Sequence, residues 1–311
     1  MSLSNPHALR IGIDLGGTKT EAVLMAPDSR LLAVERLPTP FSDYHGQVAT
    51  IVQLVHRMEQ QAGVRGLPVG IGHPGALVPA TGLLQNANST ILNGRPLQRD
   101  LEAALGRAVR MANDANCLAV SEATDGAGAG YGGVFAVILG TGVGGGLVLN
   151  GQLRHGANGI GGEWGHNALP WPRADWGEVP GPLHWDGQHG VIEAYLSGPG
   201  LAADHQRVTG EALRGEQIVA AAEAGSAAAE ASLQRYEHRL ARALASVINV
   251  LDPDVVVLGG GLSRLARLYQ NVPALWGQWI FSGTVLTLLR PAQHGDSSGV
   301  RGAAWLWPAP H

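Results

Sequence analysis

Two stretches of the chain share one pattern of apolar and polar positions: a strand, a glycine-rich turn and a second strand. In the first stretch Ile11, Ile13 and Leu15 alternate as the residues of a buried strand do, and residues 16–18 (Gly-Gly-Thr) then turn the chain. The residues after this turn are again β-branched and apolar, which predicts a second strand. Residues 134–149 repeat the plan around a Gly-Thr-Gly turn. Each half of the chain is therefore expected to carry one such unit.

The remaining apolar positions alternate between helical and strand periods. Residues 44–63 place one apolar face on a helix that ends at a glycine, and that face comprises Val48, Ile51, Val52, Val55 and Met58. Helices are also expected over 96–106 and 116–126, over 215–250 with a break near Gly225, and from about Ser263. Strands are expected over 67–73, over 109–114 and before the triple glycine at 259–261.

Strands that alternate with helices in both halves predict an α/β protein. The 311 residues suffice for two lobes joined by short hinges, because no low-complexity linker interrupts the pattern. We expect a small lobe over residues 1–113 with a C-terminal helix over about 298–311, and a large lobe over 114–297.

Composition narrows the class of protein. A net charge of −4 with only 15% charged residues and no basic run argues against a nucleic-acid or anionic-membrane partner. No apolar run approaches the ~20 residues of a membrane span, and the first ten residues are too polar for a signal peptide. The single cysteine, Cys117, fits a reducing compartment. We expect a soluble, cytoplasmic protein.

The 45 glycines are about twice the usual share, and they cluster at a few turns. Gly140, Gly142 and Gly145 match the dinucleotide-binding fingerprint, but that site needs a helix directly after the glycines, and here another strand follows. Both turns could be ordinary hairpins. Each nevertheless sets a hydroxyl beside bare backbone amides, which is what phosphate oxygens bind. We therefore expect the two turns to hold one polyphosphate between the lobes.

Polar residues that could perform chemistry follow the predicted strands. Asn113 and Asp114 stand where a strand ends and a helix begins, which is where α/β proteins build active sites, although Asp114 could equally be a helix N-cap. Glu163 and His166 follow a glycine pair, and Glu193 begins a helix, where the dipole favours a carboxylate in any case. Taken together, these groups indicate recognition of several hydroxyls, as in a sugar.

Motifs along essentially the whole chain resemble the ROK family (repressors, open reading frames and kinases). They read GIDLGGTKT, GHPG, NANST, NDAN, LGTGVGGG, GEWGH, IEAYLSG and DPDVVVLGGG. The resemblance implies the two-lobed actin-like ATPase fold of hexokinase and Hsp70, which is ribonuclease H-like, with a cleft between the lobes. Within the family, the stretches around NANSTILNG and HGDSSGVRGAAWLW are most similar to bacterial fructokinases and mannokinases.

The resemblance implies a role for each matching residue. Asp114 is expected to be the general base that takes the proton from the primary hydroxyl of the sugar. The sugar-binding residues are expected to be Asn113, Glu163, His166 and Glu193, with Gly75 and Asn88 on the other side. The ATP-binding residues are expected to be Gly16, Gly17, Thr18, Lys19, Thr141 and Gly142 at the phosphates, and Gly260 and Gly261 at the adenosine. Asp14 is expected to orient Mg²⁺ or its waters.

One loop departs from the family. Many ROK kinases hold a structural zinc with the histidine of GH and three cysteines, and here His184, Asp186 and Val191 stand at the cysteine positions. Thiolates dominate structural zinc sites, so we expect the zinc to be lost. If it is retained, its ligands are expected to be His166, His184, Asp186 and His189.

The resemblance implies an ATP-dependent hexokinase that acts on the 6-hydroxyl, with fructose as the first expectation and mannose as a further substrate. The alternative within the family is a glucokinase or an N-acetylhexosamine kinase. A sugar-responsive repressor is disfavoured because no helix-turn-helix segment precedes the first strand, and a non-catalytic sugar-binding protein remains a further alternative. Homodimers are common in the family, and a homodimer is expected here.

Overall fold

The computed structural model describes residues 8–308, and all statements of structure concern that part of the chain. Expectations for residues 1–7 and 309–311 lie outside it. The strands are β1 (Arg10–Leu15), β2 (Lys19–Met25), β3 (Leu31–Pro38), β4 (Val69–His73), β5 (Ala76–Leu77), β6 (Leu84–Gln85), β7 (Arg110–Asn113), β8 (Gly133–Leu139), β9 (Val143–Leu149), β10 (Gln152–Leu153), β11 (Val255–Gly259) and β12 (Leu288–Pro291). The helices are α1 (Tyr44–Ala62), α2 (Leu97–Leu105), α3 (Asp114–Asp125), α4 (Glu193–Leu196), α5 (Gly198–Thr209), α6 (Gly215–Glu223), α7 (Ala227–Leu251), α8 (Leu268–Trp276) and α9 (Ser298–Trp305).

The described residues divide into two compact units. The first comprises residues 8–130, 146–161 and 293–308, and the second comprises 131–145 and 162–292. The division into lobes at residues 113/114 and 297/298 stays a prediction. In the compact units, α3 lies with the strands that precede it, because it packs against α9.

The first unit is built on a five-stranded sheet in the order β3-β2-β1-β4-β7. β1, β2 and β3 are antiparallel, whereas β1, β4 and β7 run parallel. In the register of the parallel strands, Asp14 pairs with Gly72, and His73 pairs with Asn113. Since parallel strands end at one edge of a sheet, Asp14, His73 and Asn113 all lie at that edge.

Helix α1 matches its prediction closely. Asp43 caps its N-terminus by accepting from the backbone N–H of Gly46, and Gly63 ends it in the left-handed conformation with φ 65°. The predicted apolar face packs into the core of the first unit, with Ile51, Val55 and Met58 fully buried and Val48 and Val52 partly buried.

Helix α9 approaches the sheet and α3 so closely that only glycine fits at the contacts. A Cβ on Gly12 in β1 would lie 2.1 Å from the carbonyl oxygen of Val300, and a Cβ on Gly302 would lie 1.7 Å from that of Cys117. The segment leading into α9 is held by the buried Glu122 of α3, which accepts hydrogen bonds from backbone N–H groups of residues 293 and 294 and from a serine hydroxyl. These contacts fix the C-terminal helix in the first unit.

The second sheet has the order β10-β9-β8-β11-β12. β8, β11 and β12 are parallel, and Gly259 pairs with Ile138 near their carboxyl ends. The predicted break near Gly225 is confirmed, since that residue has φ 93° between α6 and α7. None of the described helices combines the length and apolar character needed to cross a membrane.

The helix expected from about Ser263 begins later, at Leu268. Residues 261–264 instead form a 3₁₀ turn, in which the hydroxyl of Ser263 donates to the carbonyl oxygen of Gly260 at 2.7 Å. The serine hydroxyl thus supports a local turn in place of an α-helical start.

Candidate active site

The first glycine turn is a tight hairpin between β1 and β2. The backbone N–H of Gly16 donates to the carbonyl oxygen of Lys19 at 3.1 Å, and a Cβ on Gly16 would lie 2.7 Å from that oxygen. Thr39 braces the turn, because its N–H donates to the carbonyl of Thr18 and its hydroxyl donates to the carbonyl of Gly16. Residues 17–19 are exposed. The turn therefore offers its outer backbone and side chains to a ligand.

Asp14 lies beside this turn at the end of β1. Its carboxylate lies beside Gly299 in α9, where a Cβ would be at ordinary contact distance, 3.5 Å, from Asp14 Oδ2. Burial, together with the negative charges of Asp114 and Glu21, raises the pKa of Asp14 to about 6, and the positive charge of Lys19 opposes the change. Asp14 and Asp114 thus interact from the ends of β1 and β7, on either side of β4, and a bound cation stabilises such a pair of carboxylates.

Asn113 and Asp114 form the junction between β7 and α3. The N-cap of α3 is Asn113, whose side-chain oxygen accepts from the N–H of Asn116 at 3.1 Å, so the alternative that Asp114 is the cap is wrong. Asp114 is the first helical residue, and its Oδ1 accepts from the N–H of Ala115 at 2.8 Å. Burial raises the pKa of Asp114, although hydrogen bonds from backbone N–H groups oppose the change.

The loop that carries Gly75 and Asn88 is fixed from within. Gly75 has φ 75°, and a Cβ there would lie 2.4 Å from a backbone oxygen, so no other residue fits. Asn93 accepts from the N–H of Ala87 and donates to its carbonyl, which holds the exposed Asn88 next to it. No role was predicted for Asn93, although it stands within the NANSTILNG motif.

In the second unit, the Gly140–Gly142 turn is braced by Glu193. The N–H of Gly140 donates to the carbonyl of Gly142 at 3.0 Å, and the N–H of Val143 donates to Glu193 Oε2 at 2.7 Å. A Cβ on Gly142 would lie 2.7 Å from the same carboxylate oxygen. Thr141, at the tip, is exposed. Glu193 therefore shapes the turn that is expected to bind phosphate.

The triple glycine lies next to the end of β8. Gly260 has φ 83°, and a Cβ on it would lie 2.5 Å from the carbonyl oxygen of Leu139. A Cβ on Gly261 would meet no atom within 4 Å. Because β8 and β11 are parallel neighbours, the second unit brings Thr141, Gly142, Gly260 and Gly261 to one edge of its sheet.

Glu193 accepts more hydrogen bonds from the protein than its predicted role as a sugar ligand requires. Its Oε1 accepts from Nε2 of His184 at 2.9 Å and from Nε1 of Trp185 at 3.2 Å. Burial raises the pKa of Glu193, but these donors and the N–H of Val143 outweigh it and lower the pKa overall. The sequence contains no pattern that pairs these residues, because the contacts depend on how the loop folds back.

Glu163 precedes a short 3₁₀ turn over Trp164–His166, and His166 is the last residue of that turn. Trp164 is buried and donates through Nε1 to the carbonyl of Gly144 at 3.1 Å, and a Cβ on Gly165 would lie 2.0 Å from the carbonyl oxygen of Val143. This packing holds the segment against β9. The sugar-binding roles of Glu163 and His166 stay predictions.

The loop that replaces the family's zinc site brings three of the four candidate ligands together. Asp186 lies between two rings, 3.1 Å from His166 Nδ1 and 2.9 Å from His184 Nδ1, and the three ligand atoms lie within 4.8 Å of one another. His189 points elsewhere, with Nδ1 3.0 Å from the carbonyl oxygen of Gly181. The set could hold a divalent ion through nitrogen and oxygen.

The carboxylates of this loop also have a charged partner within the chain. Burial lowers the pKa of His184, but hydrogen bonds and charges from Glu193 and Asp186 outweigh it and raise the pKa overall. The raised pKa favours a protonated His184, whose single positive charge offsets part of the negative charge of Asp186 and Glu193. The expected loss of zinc remains a prediction.

Each unit thus places a glycine turn between its first two strands and functional candidates at the ends of its parallel strands. This arrangement defines a phosphotransferase of the actin-like ATPase fold, which confirms the fold expected from the sequence. The chain belongs to the ROK family, whose sequence pattern matches residues 10–309.

Three known proteins show how close the similarity is. The chain is 40% identical over 297 residues to the N-acetyl-D-glucosamine kinase of Pectobacterium atrosepticum. The aligned residues cover 95% of this chain and 97% of that protein. The ROK hexokinase of Thermus thermophilus is 32% identical with a TM-score of 0.84, covering 95% and 96% of the two chains. A ROK family glucokinase from Streptomyces griseus, solved with glucose and AMPPNP, is 29% identical with a TM-score of 0.77, covering 96% and 98%. The chain is a sugar kinase.

Proposed function

We propose that this chain is an ATP-dependent N-acetyl-D-glucosamine kinase that phosphorylates the primary hydroxyl of the sugar. The observation that carries the choice of sugar is the 40% identity, over nearly the whole of both chains, to an N-acetyl-D-glucosamine kinase. Fructose was the first expectation from the sequence, with a glucokinase or an N-acetylhexosamine kinase as the alternative, and the relatives favour the N-acetylhexosamine kinase. Glucose stays a candidate because of the structural neighbour solved with it.

Asp114 is the proposed general base. Its carboxylate stands at the first turn of α3, where the helix dipole favours a negative charge, and one of its oxygens is already held by the N–H of Ala115. A base held in this way needs only to lie within hydrogen-bonding reach of the sugar hydroxyl. Its raised pKa makes it a better proton acceptor than an ordinary aspartate.

The proposed nucleotide-binding groups do little covalent chemistry. Phosphoryl transfer depends chiefly on alignment and on neutralising charge. Residues 16–19 and the Thr141–Gly142 turn offer backbone N–H groups, hydroxyls and one ammonium for the phosphates, and Gly260–Gly261 leave room for the adenosine. Asp14 fits Mg²⁺, since a hard cation prefers carboxylate oxygen and offsets the like charges of Asp14 and Asp114. Bound Mg²⁺ supplies charge neutralisation at the phosphates.

The sugar is proposed to contact groups that can read several hydroxyls at once. Amide and carboxylate side chains do this through paired hydrogen bonds. The proposed sugar-binding residues are Asn113, Glu163, His166 and Glu193, with Gly75 and Asn88 in a separate loop.

A coupled ADP-release assay across N-acetylglucosamine, N-acetylmannosamine, glucose, mannose and fructose tests the proposal. We expect the highest kcat/KM for N-acetylglucosamine. A higher value for fructose or mannose would restore the first interpretation of the sequence. ADP release that no hexose stimulates would instead indicate a non-catalytic sugar-binding protein.

A further inference from the structure

A small cavity lies next to the proposed base, and the first unit alone forms it. Its volume is about 210 Å³. His73 and Asn113 line it from the ends of β4 and β7, Asn116 lines it from α3, and His155 lines it from the loop after β10. Asn113 directly precedes Asp114, so a sugar whose hydroxyl reaches the base lies close to this cavity. The motifs that carry the family resemblance assign no role to His73, Asn116 or His155.

Two acceptor atoms of the cavity wall receive no hydrogen bond from the protein. Nδ1 of His73 lies 3.1 Å from the carbonyl oxygen of Pro74, which can only accept, so Nδ1 carries the proton of the neutral ring and Nε2 is left as an acceptor. Within residues 8–308, Nε2 of His73 and Oδ1 of Asn116 are buried without a hydrogen-bond partner. Burial lowers the pKa of His73 to about 4, so the ring is neutral at physiological pH. The wall therefore suits a ligand that brings N–H or O–H donors.

The rest of the wall is apolar. It includes Ala76, Leu77, Pro79 and Met111, which offer methyl and methylene groups. Among the other polar members, His155 has an exposed side chain, and desolvation lowers its pKa, so its neutral ring has one N–H to donate. One wall thus combines an unpaired acceptor, a donor and an apolar surface.

An acetamido group presents the same three features in reverse: one N–H donor, one carbonyl acceptor and one methyl. We propose that this cavity receives the 2-acetamido group of the sugar, with Nε2 of His73 accepting its N–H and the apolar wall contacting its methyl. This inference rests on the proposed function. His73 and the apolar wall then determine specificity together, because a 2-hydroxyl carries no methyl and fills less of the cavity.

The test compares kcat/KM for N-acetylglucosamine, glucosamine and glucose in the parent and in His73→Leu and His73→Gln. His73→Leu removes the acceptor, and we expect kcat/KM for N-acetylglucosamine to fall at least tenfold more than that for glucose. His73→Gln restores a side-chain oxygen, and we expect it to regain part of the preference. His56→Leu, on the exposed face of α1, is the matched control and should leave all three values unchanged.

Equal losses for all three sugars in both variants would show that His73 is only structural, and no loss in either would show that the cavity does not read the acetamido group. If His73→Leu fails to fold, as a thermal melt would reveal, His73→Ala removes the acceptor in its place: an unchanged sugar preference with a normal melt, while the parent prefers N-acetylglucosamine, overturns the inference. A parent that prefers another sugar defeats the proposed function itself, and this is read from the parent before any variant is made.

Discussion

Replacing Asp14 by asparagine should stabilise the protein while abolishing its kinase activity. The pKa of Asp14 is raised to about 6 from the ordinary 3.8, chiefly by burial and then by the charges of Asp114 and Glu21. A carboxyl that holds its proton more tightly in the folded than in the unfolded chain destabilises the fold when it ionises. Asparagine keeps the shape and removes the charge, so Asp14→Asn should relieve that destabilisation.

The magnitude follows from the two pKa values. At ~1.4 kcal/mol per pH unit, the ionised Asp14 destabilises the folded state by about 3 kcal/mol at neutral pH. Because the pKa of Asp14 is higher in the folded than in the unfolded chain, its ionisation destabilises the fold. This destabilisation is absent well below pH 3.8, grows as pH rises through about 6, and is constant above that. The advantage of Asp14→Asn should accordingly shrink to roughly 1.5 kcal/mol near pH 5. Mg²⁺ with ATP should shrink it as well, because bound cation stabilises the carboxylate of the parent.

Thermal and urea unfolding at pH 5 and pH 7.5, without nucleotide, would measure this difference. Asp28→Asn is the control, because Asp28 is exposed, pairs with Arg30 at 2.8 Å and has a pKa lowered by that arginine, so it should give no stabilisation. An Asp14→Asn protein that is no more stable than the parent at pH 7.5, or whose gain does not depend on pH, would refute the electrostatic reasoning.

Three further predictions concern catalysis, packing and metal. Asp114→Asn should lower kcat by about three orders of magnitude or more with ATP affinity retained, and turnover within tenfold of the parent would remove Asp114 from the mechanism. The raised pKa of Asp114 should also place the acid limb of the kcat/KM profile above the ordinary aspartate range. Gly302→Ala should destabilise by at least ~3 kcal/mol, because its Cβ would lie 1.7 Å from the carbonyl oxygen of Cys117, whereas Gly277→Ala, with no atom within 4 Å, should be neutral or slightly stabilising. Elemental analysis after dialysis should find well under one zinc per chain, and a full equivalent would contradict the predicted loss.

The sequence predicted local structure well wherever one stretch of chain determines it. The apolar face of α1 and its glycine end, the break at Gly225 and both strand–turn–strand units depend on periodicity and turn chemistry, and the structure confirms them. The helix after the triple glycine was placed too early, because a serine hydroxyl at Ser263 stabilises a competing turn. Periodicity carries no information about such a side-chain contact.

Features that depend on distant contacts could not be predicted from the sequence. In the sequence Gly302 looks like an ordinary residue of the C-terminal helix. Only the fold shows that a Cβ on it would lie 1.7 Å from the carbonyl oxygen of Cys117 in α3. Glu193 was expected to meet sugar hydroxyls, and the structure adds His184, Trp185 and Val143 as its partners. Each of these contacts joins parts of the chain whose proximity exists only after folding.

The two sheets explain why the candidate residues cluster although they are scattered along the chain. Each sheet places an antiparallel hairpin beside two further parallel strands, in the orders β3-β2-β1-β4-β7 and β10-β9-β8-β11-β12. The central strand of each sheet, β1 or β8, ends at the glycine turn, and its parallel neighbour ends at the same edge. Any polar residue or glycine at those strand ends must therefore lie beside the turn. Motifs can locate these positions because the topology fixes them, whereas the choice of sugar depends on loops such as that of His155, which no strand register constrains.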